Sequence, residues 1–203
     1  ICRKEALMEG TAILESLANA RWHVARRTYG NSHASLIGLL VGWWISQDPV
    51  HHSALEGGPW FREDDGEAKA CDALLCRDDA PIGVLEVEGL RQERTARKFA
   101  TYFATDARFH PRFGLLLLYR TKPEGRGRNR EYPQSASAEA LEIVASISSR
   151  HPSKDIVVVA MEKACSTPPV DLGPREGYYC GVVTKIGASL YRGGKVIAER
   201  TYN

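Results

Sequence analysis

Two segments of this chain carry almost no polar residue, and they constrain its fold more than any other feature. Phe113 to Arg120 reads FGLLLLYR, and Asp155 to Met161 reads DIVVVAM. Each has the length of a strand, and continuous apolar runs of this kind, unlike alternating ones, suit strands buried on both faces. The pattern therefore predicts an α/β chain of the α+β mixed-sheet kind, with helices packed on a central sheet. Two helical patterns lie beside these strands. From about Arg91 to Thr105, the residues Ala96, Phe99, Ala100 and Phe103 recur at i, i+3, i+4 and i+7 and define a buried face, with Arg91, Arg94, Lys98 and Tyr102 on another. Ala138 to Ser149 supplies a second amphipathic helix.

The first third also reads as helical. Ala6, Leu7, Ile13, Leu14, Leu17 and Ala18 recur near helical spacing, and Ser32 to Ile45 form a second apolar run. Gly30-Asn31-Ser32 separates the two, with Ser32 as the expected cap, and Trp43-Trp44 is most simply core. Residues 48 to 67, rich in Pro, Gly, Asp and Glu, read as loop or short edge strand, and Tyr178 to Tyr202 closes as a hairpin with Gly193-Gly194 at its turn. The expected organisation is one domain: helical over 1–47, a sheet core over 68–162 and a hairpin over 176–203. A chain of 203 residues with 43% hydrophobic content can bury such a core. Its longest apolar stretch, Leu36 to Ile45, is about ten residues against the roughly 20 that span a bilayer, so no membrane partner is expected.

Several chemistries find no support. The five cysteines, Cys2, Cys71, Cys76, Cys165 and Cys180, are odd in number and lack the paired spacings of a zinc site or disulfide framework, which fits reduced thiols and a cytoplasmic setting. No GxSxG elbow, P-loop or GxGxxG segment follows a strand. His51-His52 read as exposed imidazoles, and His23, His33, His110 and His151 form no signature. A net charge of +2 does not by itself imply a polyanionic partner. Local charge says more: RTKPEGRGRNR sets Arg120, Lys122, Arg126, Arg128 and Arg130 against Glu124 alone. This tract is either an arm that neutralises phosphates or a solvated loop.

Acidic chemistry concentrates just before the Arg91 helix. Cys71 to Cys76 (CDALLC) has strand length, Arg77 to Pro81 reads as a turn, and Ile82 to Glu88 (IGVLEVE) returns antiparallel. Asp72 then lies on one strand, with Glu86 and Glu88 sharing a face of its neighbour. Three carboxylates at the end of a sheet repel one another, and a hard divalent cation offsets that repulsion. Mg²⁺ or Mn²⁺ suits oxygen ligands, and the Val87 carbonyl could add one. The bland alternative is a strand displaying acids on a solvated face.

This arrangement resembles the PD-(D/E)xK, or restriction-endonuclease-like, nuclease superfamily. Its core has an Asp on one strand and a (D/E)xK signature on the next, followed by a helix and another strand. Asp72 and Glu86-Val87-Glu88 match, over roughly Ala70 to Arg120, with Cys71 where the signature has proline. The resemblance implies that Asp72 and Glu86 hold the metal. Glu88 stands where lysine usually orients or activates the water, as in the ExE variant among restriction endonucleases. Lys98, on the following helix, stands where relatives carry a migrated lysine, and Gln92 where they carry an auxiliary polar group. An acid of the first helix often approaches the metal in relatives, and among Glu5, Glu9 and Glu15 the expectation falls on Glu15. The implied activity is a metal-dependent endodeoxyribonuclease of restriction or repair type. Its substrate would be double-stranded DNA, with Arg120 to Arg130 on the backbone. Duplex-cleaving relatives work as dimers, which brings in a homodimer. The alternative is a catalytically silent nucleic-acid-binding or assembly module that kept the fold and lost the reaction. RNA as substrate is a third, weaker reading.

Overall fold

The computed structural model describes residues 10–20, 22, 29–55, 61–62, 68–89, 91–104, 109–119, 136–163, 170–171, 178–179 and 183–202. Residues 10–16 are helical (α1) and pass into a 3-10 turn at Leu17–Asn19, followed by α2 over Tyr29–Gln47. The strands β1 (His51–Leu55), β2 (Phe61–Arg62), β3 (Ala68–Lys69), β4 (Ala73–Arg77) and β5 (Ala80–Glu88) come next. Then follow α3 (Gln92–Phe103), β6 (Phe113–Leu118), α4 (Ala138–Arg150) and β7 (Asp155–Lys163). The chain continues through β8 (Val170–Asp171), β9 (Tyr178–Tyr179), β10 (Val183–Arg192) and β11 (Lys195–Tyr202).

Seven strands form one mixed sheet in the order β1-β4-β5-β6-β7-β10-β11. The pairs β5/β6 and β6/β7 are parallel, and the flanking pairs are antiparallel. The parallel centre is where the sequence is most apolar, and β6 shows why. Phe113, Leu115 and Leu117 join the cluster under α1 and α2, while Leu116 and Leu118 join the opposite cluster under α3 and α4. A strand covered on both faces has no position left for a polar side chain. Gly114 leaves room there for the ring of Phe99, which a Cβ at that position would strike.

The expected elements are present with shifted ends. Trp43 and Trp44 are both buried, and their indole N–H groups donate to the carbonyls of Ser16, and of His52 and Cys76. The predicted start of α2 at Ser32 is corrected to Tyr29. Leu36, Leu40 and the tryptophans anchor this helix to the sheet, and that packing outweighs the weak local preference of Gly30-Asn31 for a break. Gly193 and Gly194, with φ of +58° and +81°, make the turn of the last hairpin. Among the described residues no helix is long and apolar enough to cross a membrane.

Tyr102, expected on the face of α3 opposite its buried one, is fully buried, and Gln92 and Thr95 are nearly so. The buried face of α3 is wider than the i, i+3, i+4 pattern because the helix touches both the sheet and α4.

Candidate active site

The acidic residues meet because a tight turn folds β4 back on β5. Asp78 and Asp79 adopt positive φ (48° and 55°), and Arg77 pairs with Ala80 across them. That is the two-residue turn whose twist matches antiparallel strands, and aspartate tolerates its left-handed backbone. The register pairs Ala73 with Leu85, and the Asp72 N–H donates to the Leu85 carbonyl at 3.1 Å, extending the ladder to the acid. Asp72 therefore stands at the entrance of β4 beside the end of β5, where Glu86 and Glu88 pair in parallel register with Leu116 and Leu118.

Glu86 is the most constrained of the three, with only 2% of its surface exposed. Lys98 reaches it from α3, its Nζ 3.0 Å from both carboxylate oxygens. Tyr102, one turn further along, donates its hydroxyl to Oε1. The Lys98 ammonium and the Tyr102 hydroxyl also lie 3.4 and 3.3 Å from the carbonyl of Ala70, on the approach to Asp72. Despite these partners the Glu86 carboxyl is pushed up from 4.5 to about 7. Burial is the main cause; the Lys98 charge opposes it and the Asp72 charge adds to it. Burial, with Glu86 nearby, also raises the Cys71 thiol to about 12, so this cysteine is an inert buried thiol.

Asp72 is held from two sides. Its Oδ2 accepts from the Val87 N–H at 2.7 Å, so the residue expected to lend a carbonyl lends its amide to the acid. Its Oδ1 lies 3.6 Å from Nε2 of His33 on α2, an ion-pair distance too long for a hydrogen bond. Asp72 raises the His33 pKa above 6.5; partial burial opposes it, and the charges of Glu88 and Glu86 add to it. All three acids thus act on this one imidazole. Sequence reading had set His33 aside, and a single histidine on an amphipathic helix gives no signal until the fold shows which strand end lies beneath it.

Glu88 turns another way. Its Oε1 accepts from the Gly89 N–H at 2.7 Å and its Oε2 from the Thr95 hydroxyl at 3.1 Å, which fastens the first turns of α3 to the end of β5. Comparison with protein-family models, curated proteins and solved structures returned no match. The site has to be read from its own chemistry.

Other expected residues lie apart from this cluster. Glu15 is exposed, 3.4 Å from Arg200 on β11, at the opposite edge of the sheet, so the acid of the first helix does not join Asp72 and Glu86. Among the described residues of the helical first third, His33 on α2 is the one that lies beside Asp72, while Glu5 and Glu9 lie outside the described residues. Gln92 accepts from the Ser137 N–H at the start of α4, a bond that docks the two helices. His51 stacks on Trp44 with centroids 3.8 Å apart. Arg120, Lys122, Arg126, Arg128 and Arg130 lie outside the described residues, as do Cys2, Cys165 and Cys180. Tyr119, which precedes that tract in sequence, donates its N–H to the Glu88 carbonyl at 3.2 Å.

Asp72 and Glu86 fit a hard divalent cation by their chemistry. They bring oxygen donors of the kind such an ion takes to adjoining strands, and burial, with the Asp72 charge adding to it, disfavours the ionised Glu86 carboxylate, which a cation would favour. Among the described residues no three His, Cys, Asp or Glu side chains converge as a ready metal cage. A cation held here would take the rest of its shell from water and substrate, as Mg²⁺ commonly does.

Proposed function

We propose that this chain is a divalent-metal-dependent endonuclease that hydrolyses DNA phosphodiester bonds in the manner of the PD-(D/E)xK superfamily. One observation carries the reading. The Lys98 ammonium sits 3.0 Å from both oxygens of Glu86, beside Asp72, so an acid, acid and lysine set assembles although position 88 lacks the lysine. The run β4, β5, α3 and β6 agrees with the strand, strand, helix, strand order of that superfamily's core.

Asp72 and Glu86 would hold Mg²⁺ or Mn²⁺. When bound, the ion polarises a phosphoryl oxygen and lowers the pKa of a water. Lys98, one-quarter exposed, offers a charged donor to the phosphate as negative charge develops on it. Glu88 takes the role of fixing α3, which places Lys98. The basic tract from Arg120 to Arg130 follows Tyr119 in sequence and would supply salt-dependent contacts to the DNA backbone. Double-stranded DNA, a homodimer, a cytoplasmic setting and a restriction or repair role belong to the same proposal.

The test incubates long, sequence-diverse duplex DNA with the protein and millimolar-scale Mg²⁺ or Mn²⁺, with EDTA, Glu86→Ala and Lys98→Ala as controls. Cleavage that all three controls remove supports the reading, and the Lys98→Ala loss is expected at about 10²-fold or more. The engagement of Glu88 with Gly89 and Thr95 favours a second reading, a silent nucleic-acid-binding module. DNA shifted in a gel but never cut would select it.

A further inference from the structure

The two α3 side chains on Glu86 differ in their freedom. Lys98 is about one-quarter exposed at the end of a flexible stem. Tyr102 has no exposed surface, and its ring meets Phe99 edge-on, centroids 5.5 Å apart at 76°. A phenol packed this way cannot swing, and its hydroxyl, taken out of water, needs an acceptor. Glu86 Oε1 accepts from both Tyr102 and Lys98, whereas among the described residues Oε2 accepts from Lys98 alone.

We propose that Tyr102 is a positioning residue for the reaction assigned above: it fixes the Glu86 carboxylate by its Oε1 and so leaves the Lys98 ammonium free to turn towards the phosphate. The inference rests on the nuclease reading but is tested apart from it. If Lys98 alone oriented Glu86, each departure of the ammonium would release the carboxylate. A carboxylate held in place by a buried donor keeps its direction, and with it Oε2 stays presented on the side of the site where Lys98 enters. Neighbours of this kind, behind a ligand, commonly matter by 10- to 100-fold in metal affinity or activity.

Tyr102→Phe removes the hydroxyl and keeps the ring. Mn²⁺ affinity is measured by the electron paramagnetic resonance of free Mn²⁺, alongside kcat and KM on duplex DNA and the thermal melt. The expected result is Mn²⁺ binding weakened about tenfold and kcat lowered, with KM for DNA within about twofold. Unchanged Mn²⁺ affinity in a folded Tyr102→Phe protein overturns the proposal. A wild-type protein that binds Mn²⁺ without cutting DNA overturns the nuclease reading alone, because the Mn²⁺ comparison still decides the role of Tyr102. A wild-type protein that binds no Mn²⁺ overturns both. A second measurement does not depend on how Tyr102→Phe folds. In Lys98→Met the Tyr102 hydroxyl proton is expected to remain a downfield, slowly exchanging NMR resonance, as a donor that holds Glu86 on its own requires. Its loss in that variant also overturns the proposal.

Discussion

Glu86→Gln is the substitution whose effect follows most directly from the site. Burial, helped by Asp72, raises the Glu86 carboxyl from 4.5 to about 7 on folding. The sign follows from proton counting. Below 4.5 the group is protonated in both folded and unfolded chains and adds no pH dependence. Between 4.5 and 7 the unfolded chain ionises first, so the folded state is progressively disfavoured as pH rises. Above 7 the full penalty is present, about 3 kcal/mol at 1.4 kcal/mol per pH unit. Glutamine has the same shape and does not ionise. The stability of Glu86→Gln relative to wild type is therefore expected to rise by about 3 kcal/mol from about pH 4 to about pH 8. The attraction of Lys98 for the ionised carboxylate is already contained in that shifted value and adds no further pH dependence. Urea denaturation of both proteins across that range measures the difference. A difference that is flat in pH, or that falls as pH rises, refutes the account of Glu86 as an incompletely compensated buried carboxylate. Millimolar-scale Mn²⁺ bound at Glu86 would favour the ionised form and flatten the wild-type curve, leaving the glutamine variant unaffected.

Three further outcomes are expected. Gly38→Ala and Gly42→Ala should each stabilise the protein by about 0.5–1 kcal/mol in thermal or urea melts. Both glycines are exposed inside α2 and an added Cβ meets nothing within 4 Å, so destabilisation by either would contradict that geometry. Ser137→Ala should cost about 1 kcal/mol by urea denaturation, since the serine caps α4 by accepting from the Ala140 N–H at 3.1 Å; no measurable loss would argue against the cap. His33 should titrate above 6.5 by NMR and move down in Asp72→Asn. Its stabilising pairing is present below 6.5 and is lost as pH rises through the folded-state value, so a midpoint unmoved by Asp72→Asn would separate the two residues.

The sheet was legible because burial on two faces leaves a simple mark. FGLLLL and IVVVA could hardly sit elsewhere than between helix layers, and the Asp78-Asp79 turn fixed which strands paired. The site was only half legible. Alternation placed Glu86 and Glu88 on one face of β5 but could not tell a carboxylate covered by Tyr102 and Lys98 from one facing water. Tyr102 misled because a phenol on a helix bearing arginines looks amphipathic, and its partner appears only when the helix is docked. Glu88 misled for the related reason that position on a shared face does not fix direction: its carboxylate bends to the backbone of Gly89 and to Thr95. His33 and Glu15 depend on where separate helices land, which no local spacing records.

The short turn between β4 and β5 also bears on the order in which the chain assembles. Asp72 and Glu86 are brought together by a hairpin closed through two residues, among the fastest and least entropically costly contacts a chain can make. Lys98 and Tyr102 reach Glu86 only once α3 has formed and docked, and α3 is the crossover between the parallel strands β5 and β6. On this reading the acidic pair precedes its counter-charge. The acids thus belong to a local contact of low closure cost, and their counter-charge to a contact that depends on a whole helix.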